Sequence, residues 1–285
     1  IRDSPNDATY GGNTDNEYTQ KFGKQQGKYY VPQRAAAGLD PWATPQAYDN
    51  AKDFFDTGIT WSNSLNVAQM LDKSSYSISL GNTHQDGIIS STGMDRYNVK
   101  VSADTKLTNN WSSGFTANYI TTSIDKAVTS GNGLLRTVYA APPSYDLAGI
   151  PSHVDGNPYT QNSFRGSFDN AYWAMENNKF TEDTNRFFGN VYASYQTDFG
   201  TTNHKLNAKY MVGVDAYTTH YVDSYGYGSN TGGGRGQIEN YGWTNATYNS
   251  LLTINYDWRI NEDWGLNAVL GLSLIHISEP TRLAL

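Results

Sequence analysis

The most constraining feature of this sequence is a strict alternation of apolar and polar residues in several separate stretches. In residues 96–107 the odd-numbered positions are mostly apolar and the even-numbered positions are polar or charged, and residues 111–119, 205–216 and 252–260 repeat the arrangement. Successive side chains of a β-strand point to opposite faces, so each stretch predicts a strand with one apolar and one wet face. The signal is weak in any one strand and strong in the set, which predicts seven or eight strands.

The connections between these strands predict the kind of sheet. Short turns near 72–75, 108–110, 200–203 and 261–263 alternate with long connections at 88–95, 126–185 and 226–245. Outer-membrane β-barrels have short periplasmic turns and long extracellular loops. Aromatic residues lie near both ends of the strands, as interfacial girdles require: Tyr76, Trp111, Phe199, Trp258 and Trp264 near the short turns, and Tyr97, Tyr119, Phe187 and Tyr248 near the long loops. We therefore predict an all-β fold, an antiparallel transmembrane β-barrel with long extracellular loops.

The alternation also predicts which residues face lipid. Val101, Phe115, Val212 and Ile254 lie in mid-strand on the apolar face, so we expect them to contact lipid. The opposite face carries the charged side chains, which suit a wide wet interior: Arg96, Lys100, Asp104, Lys106, Lys209, Asp215, Asp257 and Arg259. A soluble antiparallel sandwich also alternates, but it rarely needs strands of this length with so many polar residues facing inward.

Composition excludes several other classes of protein. No run of about 18 apolar residues is present, so no helix is expected to span a membrane. Cysteine is absent, which excludes disulfides and thiolate metal sites, and the net charge of −7 argues against nucleic acid as a partner. The five histidines are scattered, and the stretch 232–236 lacks the lysine of a phosphate loop. We therefore predict no catalytic residue, no metal site, no cofactor and no enzyme activity.

Three segments are expected along the chain. Residues 1–60 are rich in Asn, Asp, Gly, Gln and Pro and predict an extracellular loop region with one short helix from Pro45 to Phe55, capped by Thr44. Residues 61–271 predict the partial barrel. Residues 272–285 predict a non-native tail, because Leu272 to Arg282 resembles the conceptual translation of a sequencing adapter. The chain starts at Ile1 without a signal peptide, so we expect a mature product or a fragment.

The longest connection is the best candidate for ligand contact. It carries many aromatic side chains among Asn, Ser and Gly, and long loops of this kind are usually functional or disordered. Aromatic rings mixed with amides suit the binding of sugars or peptides. We predict substrate contact by Phe164, Tyr172 and Trp173. The alternative, which the sequence leaves open, is that these rings only pack the loop against its neighbours.

Two blocks of the sequence resemble a known family. The first block is Ala51 to Gly58, reading AKDFFDTG, with Ser62 to Val67. The second block is Ser75 to Gly81, followed by Asp86 to Ile89, Thr92, Gly93 and Asp95 to Val99. They resemble the middle barrel of the SusC-like TonB-dependent outer-membrane transporters, over about residues 50–125. The resemblance implies a plugged barrel of about 22 strands, of which this chain supplies about eight. Its first strand, near Ser64 to Leu71, and its last, near Trp264 to Gly271, are then expected to be bare edges.

The resemblance also implies a function. It implies energy-coupled import of oligosaccharides or peptides at the bacterial outer membrane, with a SusD-like surface lipoprotein as partner and with the TonB complex contacting a plug segment that this chain lacks. A passive porin or structural barrel fits the alternation equally well. A secreted glycan-binding β protein is a further alternative.

Overall fold

The computed structural model describes residues 28–128, 133–166 and 168–278. The strands are β1 (Tyr29–Tyr30), β2 (Trp42–Ala43), β3 (Thr60–Met70), β4 (Ser74–Asp86), β5 (Gly93–Lys106), β6 (Trp111–Lys126), β7 (His153–Val154), β8 (Asn157–Gln161), β9 (Lys179–Thr197), β10 (His204–Tyr227), β11 (Arg235–Arg259) and β12 (Gly265–Ser278). The helices are α1 (Pro32–Ala36), α2 (Asn50–Phe54), α3 (Leu134–Ala140) and α4 (Ala171–Asn177).

Eight of these strands form one antiparallel sheet. Its order is β3-β4-β5-β6-β9-β10-β11-β12, so every strand pairs with its neighbour in this series and the edges are β3 and β12. Within the described residues the two edges do not pair with each other, and the sheet is open. The predicted fold class is confirmed: the sheet is part of an antiparallel transmembrane β-barrel. The two edge strands are also the ones expected from the sequence.

The register of the sheet places apolar side chains beside apolar side chains. One cross-strand row consists of Tyr76, Ala103, Phe115, Val191 and Val212, and the adjacent row on the other face consists of Ser77, Ser102, Thr116, Asn190 and Gly213. We call these the apolar face and the polar face. Val101 and Ile254 lie on the apolar face, with Phe115 and Val212, as predicted. A one-residue slip would exchange the two faces, so the pattern fixes the register.

Aromatic side chains mark the limits of the apolar face. All nine residues predicted to form the girdles are exposed, seven of them in strands and Phe199 and Trp264 in the connections at the turn end, and Trp258, at 38%, is the least exposed of them. Rings held in this way at the surface suit the boundary between hydrocarbon and headgroups, where one end of the ring is apolar and the other is wet.

The two longest strands correct the prediction of a long loop at 226–245. β10 has 24 residues and β11 has 25, and they stay paired up to Tyr227 and Arg235, which leaves only 228–234 as a connection. The prediction was wrong because the alternation changes face. Apolar residues occupy even positions of β10 up to Ala216 and most even positions of β11 from Ala246 to Trp258. Nearer the hairpin tip the aromatic residues occupy odd positions on the polar face: Tyr217, Tyr221 and Tyr225 in β10, and Tyr241 and Trp243 in β11.

The other two long connections are also shorter or more ordered than predicted. β4 and β5 are joined by 87–92 alone, because hydrogen-bonded pairing reaches Asp86 and Gly93. The connection between β6 and β9 contains α3, α4 and the β7–β8 hairpin, so it is not an irregular loop. We call the end of the sheet that carries these connections the loop end. The opposite end is the turn end. It carries the connections 71–73, 107–110, 198–203 and 260–264.

A small folded unit lies at the loop end, and we call it the cap: residues 28–59, 133–166 and 168–178. Its core joins the two parts of the chain through Tyr29, Val31, Phe54, Leu134, Val138, Tyr145, Leu147, Ile150, Ala171, Trp173 and Ala174. Buried Asn50 connects them further, because its amide donates to the carbonyl of Pro142 and its oxygen accepts from the N–H of Leu147. Hydrophobic burial therefore concentrates in the cap, whereas the sheet presents its apolar side chains at the surface.

The helix predicted from Pro45 to Phe55 is shorter than expected. It runs from Asn50 to Phe54, and Asp49 rather than Thr44 is the N-cap, because the Asp49 carboxylate accepts the N–H of Lys52 at 3.2 Å. A side-chain acceptor at this position satisfies one of the free N–H groups of the first turn, so the helix begins there. No helix in the described part of the chain is long and apolar enough to cross a bilayer.

The last strand enters the segment predicted to be a non-native tail. β12 pairs with β11 up to Ser278, and residues 279–285 lie outside the described part of the chain. Here the alternation fails: Ile275 and Ile277 pair with Asn249 and Thr247 on the polar face. The origin of this tail stays a prediction.

A pair of substitutions tests the register. We expect Val101→Arg to destabilise the protein folded in lipid vesicles by about 2 to 4 kcal/mol, because it places a charge against hydrocarbon near mid-strand. Lys100→Ala, the adjacent residue on the polar face, is the matched control and should cost much less. Urea unfolding followed by tryptophan fluorescence measures both, and equal costs would contradict the assignment of the faces.

Candidate functional site

A cleft of about 820 Å³ lies at the loop end of the sheet. Its floor is the polar face, which contributes Gln85 from β4, Lys126 from β6, Phe180 from β9 and Asp223 from β10. The connections after β4 and β6 form its margins through Ile88, Ile89, Thr92, Ala127 and Val128. The cleft therefore combines one wall of paired strands with two walls of connecting segments.

Lys126 is held in a defined position on this floor. Its ammonium group lies 3.2 Å from the carboxylate of Glu182 on the neighbouring strand and 4.4 Å from the centre of the Tyr221 ring. A cation over an aromatic face is attracted by the ring quadrupole, so the two contacts hold the same ammonium group. The positive charge of Lys126 is thus compensated within the wall.

Aromatic rings form the upper part of the polar face. Tyr221 and Tyr241 are directly paired across the strands and stack nearly in parallel, with ring centres 5.0 Å apart and an angle of 8°. The ring of Trp243 lies 5.1 Å from Tyr221, and Phe180 meets Tyr225 edge to face at 5.0 Å. Tyr241 and Trp243 are exposed, at 42% and 39%. Flat rings exposed on an otherwise polar wall offer stacking surfaces to a ligand.

Asp223 supplies a carboxylate beside these rings. It accepts a hydrogen bond from the phenol of Tyr241 at 3.1 Å. Burial and the negative charge of Asp223 together raise the pKa of Tyr225 above its ordinary value, at which a phenol is already neutral at physiological pH. The cleft thus contains neutral aromatic hydroxyls, a compensated lysine and a carboxylate.

The cap is attached to the tip of the β10–β11 hairpin by buried Asp169. Its carboxylate accepts hydrogen bonds from the side-chain amide of Gln161 at 2.7 Å, from the hydroxyl of Ser229 at 2.6 Å and from the N–H of Asn230 at 2.7 Å. The backbone approaches closely here. Gly228 has φ +100°, and a Cβ on it would overlap the carbonyl of Tyr159, so glycine is required. The attachment fixes the cap relative to the strands that carry the cleft.

The structure places the three predicted ligand-contact residues in the cap rather than in the cleft. Trp173 is buried, with 1% exposure, and its indole N–H donates to the carbonyl of Pro158 at 2.9 Å. The ring of Tyr172 packs edge to face on Phe54 at 5.3 Å, and the ring of Phe164 lies 5.5 Å from Tyr145. All three side chains therefore pack within the cap, as the alternative reading of the sequence expects. Ligand contact by these residues stays a prediction.

Sequence reasoning missed the residues that line the cleft. Phe180 and Tyr241 lie in strands where a long loop was expected, and Tyr225 lies just before the loop expected at 226–245. The signal that could have found them is the odd-numbered series Tyr217, Tyr221 and Tyr225, which continues the two-residue period on the opposite face.

Other candidate chemistry is not assembled in the structure. Among the described residues, no group of three or more His, Asp or Glu side chains could hold a metal ion. Of the adjacent carboxylates Glu182 and Asp183, the first contacts Lys126 on the polar face, and the second accepts the hydroxyl of Ser123 on the apolar face at 2.6 Å. The two carboxylates therefore do not share a site.

Comparison with solved structures shows what the fold is similar to. The structures of the RagAB peptide importer in the "closed-closed" and "open-open" states match with TM-scores of 0.66 and 0.69, each at 16% identity, and cover 81% and 95% of this chain. A structure described as the RagAB peptide transporter matches with a TM-score of 0.66 at 18% identity and covers 81% of this chain. At this identity the likeness establishes the fold alone.

The similarity covers only part of those proteins. This chain spans 26%, 30% and 26% of the closed-closed, open-open and transporter chains, respectively. No protein-family model and no curated protein matches the sequence.

Substitution of the buried cap tryptophan tests its structural role. We expect Trp173→Ala to destabilise the cap by about 3 to 5 kcal/mol, because it removes a fully buried ring from the core. Hydrogen exchange of the amides of α3 and α4 measures the effect. Tyr139→Ala, which removes a ring that is 68% exposed on α3, is the matched control and should change exchange little. Unchanged exchange in the Trp173 variant would contradict the packing role.

Proposed function

We propose that the protein acts in a SusC-like TonB-dependent transporter of the bacterial outer membrane, which imports oligosaccharides or peptides. In this proposal the apolar face contacts lipid, the polar face lines the interior, and the loop end faces the outside. A SusD-like surface lipoprotein is the proposed partner at the loop end, and the TonB complex acts through a plug segment outside this chain.

One observation carries the proposal: a two-faced sheet has a cleft of about 820 Å³ on the polar face, at the end that bears the cap. A ligand that enters from the loop end would meet the level of Asp223 and Glu239 first and then the exposed rings of Tyr241 and Trp243. The likeness to the RagAB peptide importer supports an importer at the level of the fold. The apolar face also disfavours a secreted soluble protein, because contiguous apolar surface of this kind marks a membrane or protein contact.

We also propose the segment boundaries and the ligand contacts that the sequence predicts. Residues 61–271 would form part of the barrel wall, residues 1–60 would lie outside, and residues 272–285 would be non-native. Phe164, Tyr172 and Trp173 would contact substrate only if the cap rearranges on binding, since Trp173 is buried in the present arrangement.

Uptake measured in cells tests the proposal. Cells that produce the full-length protein would receive fluorescent oligopeptides and oligosaccharides of graded length, and accumulation would be measured with and without TonB. We expect accumulation of one of the two ligand classes, which stops when TonB is removed. We also expect Tyr241→Ala to lower this accumulation, whereas Tyr210→Ala, which removes an exposed ring from the apolar face, should leave it unchanged.

Two results would contradict the proposal. Accumulation that survives the loss of TonB would favour a passive porin. Recovery of the intact protein from the medium without detergent would favour a secreted glycan-binding protein.

A further inference from the structure

We propose that the loop-end cleft binds a cationic group, the amine or guanidinium of a basic peptide, between the carboxylates of Asp223 and Glu239 and the rings of Tyr225 and Tyr241. The inference rests on the proposed function, because it names the charge and the chemical class of the ligand that the same cleft would take.

The aromatic walls of the cleft are the first part of the argument. Phe180, Tyr225 and Tyr241 line a volume of about 820 Å³, which is within the range of sites that hold small ligands. Aromatic faces attract cations, and the effect grows where the cation loses water. The wall already shows this chemistry once, since Lys126 lies over the ring of Tyr221 at 4.4 Å.

The charge of the wall decides the sign of the ligand. Lys126 forms its ion pair with Glu182 at 3.2 Å, and the described residues show no ion pair between Lys126 and Asp223. The Asp223 carboxylate accepts a hydrogen bond from the neutral phenol of Tyr241 at 3.1 Å, and within the described residues it forms no ion pair. A negative charge therefore remains beside the aromatic rings.

A second carboxylate lies directly opposite the first. Glu239 is outside the lining of the cleft, but it pairs with Asp223, which lines it, across β10 and β11, and both side chains lie on the polar face. Side chains in this relation have Cβ atoms about 5 Å apart, and like charges there destabilise the pair of strands. Glu239 accepts a hydrogen bond from the side-chain amide of Gln237 at 2.5 Å, and within the described residues it forms no ion pair.

The nearest cation along the same face of β11 does not relieve this repulsion. Arg235 lies four residues from Glu239, which corresponds to about 13 Å in an extended strand. Over that distance salt screens the interaction between exposed charges to a large extent. A ligand cation placed between the two carboxylates would remove their repulsion and would contact the rings of Tyr225 and Tyr241 at the same time.

Binding of defined peptides to the full-length protein in detergent tests the inference. The probes are tetralysine and tetralysine with all amines acetylated, measured by calorimetry at low and high salt. We expect tetralysine to bind at least about tenfold more tightly than the acetylated peptide, and we expect added salt to reduce this preference. Asp223→Asn and Glu239→Gln should each reduce the preference, and the double variant should abolish it.

The controls separate charge from folding and from the broader proposal. Glu262→Gln removes a carboxylate at the turn end and should keep the preference. Glu239 is exposed, so its variant remains informative even where Asp223→Asn fails to fold. Equal binding of both peptides, or a preference that the double variant retains, would overturn the inference and leave TonB-dependent uptake intact. Binding of neither peptide would also overturn it, whereas the proposed function fails only if the uptake experiment fails as well.

Discussion

The uninterrupted pairing of the eight-stranded sheet is the constraint on which the rest of the structure depends. Hydrocarbon offers no hydrogen-bond partner, so each backbone N–H and C=O inside a membrane must bond to a neighbouring strand. The pairs from β3 to β12 follow one another without a register shift. This regularity keeps one face apolar across all eight strands, and it leaves the other face free to carry charged and aromatic groups.

The sheet exposes its apolar side chains, whereas a soluble domain buries them. In the sheet, apolar side chains such as Phe115 and Val191 are exposed, whereas the buried cluster lies in the cap around Trp173. The cap is therefore stabilised by burial in water, and the sheet by backbone pairing and by lipid. Asp169 joins the two parts through hydrogen bonds alone, since its three partners are an amide, a hydroxyl and a backbone N–H.

The fold could be predicted from the sequence because a two-residue period needs no knowledge of distant contacts. Phe115 and Val212 face the same way for that reason, and the edges β3 and β12 follow from chain order. The cleft could not be predicted in the same way. Two of its rings, Tyr225 and Tyr241, lie on the hairpin beyond the pair Ala216 and Ala246, where the apolar series ends, and its walls meet only through pairing of distant segments. Burial of Trp173 likewise depends on residues 28–59, and the sequence alone does not show that these distant residues contact it.

The length of the β10–β11 hairpin bears on how tightly the cleft could hold a ligand. A membrane-spanning strand needs about 9 to 11 residues, so much of this hairpin, with 24 and 25 residues in its strands, stands beyond the bilayer as paired backbone. Ordering a flexible segment on binding costs about 1 to 2 kcal/mol of backbone entropy for each residue that becomes fixed. Tyr225 and Tyr241 project from backbone that is already fixed, so association at these rings would lose little of its free energy to the immobilisation of the chain.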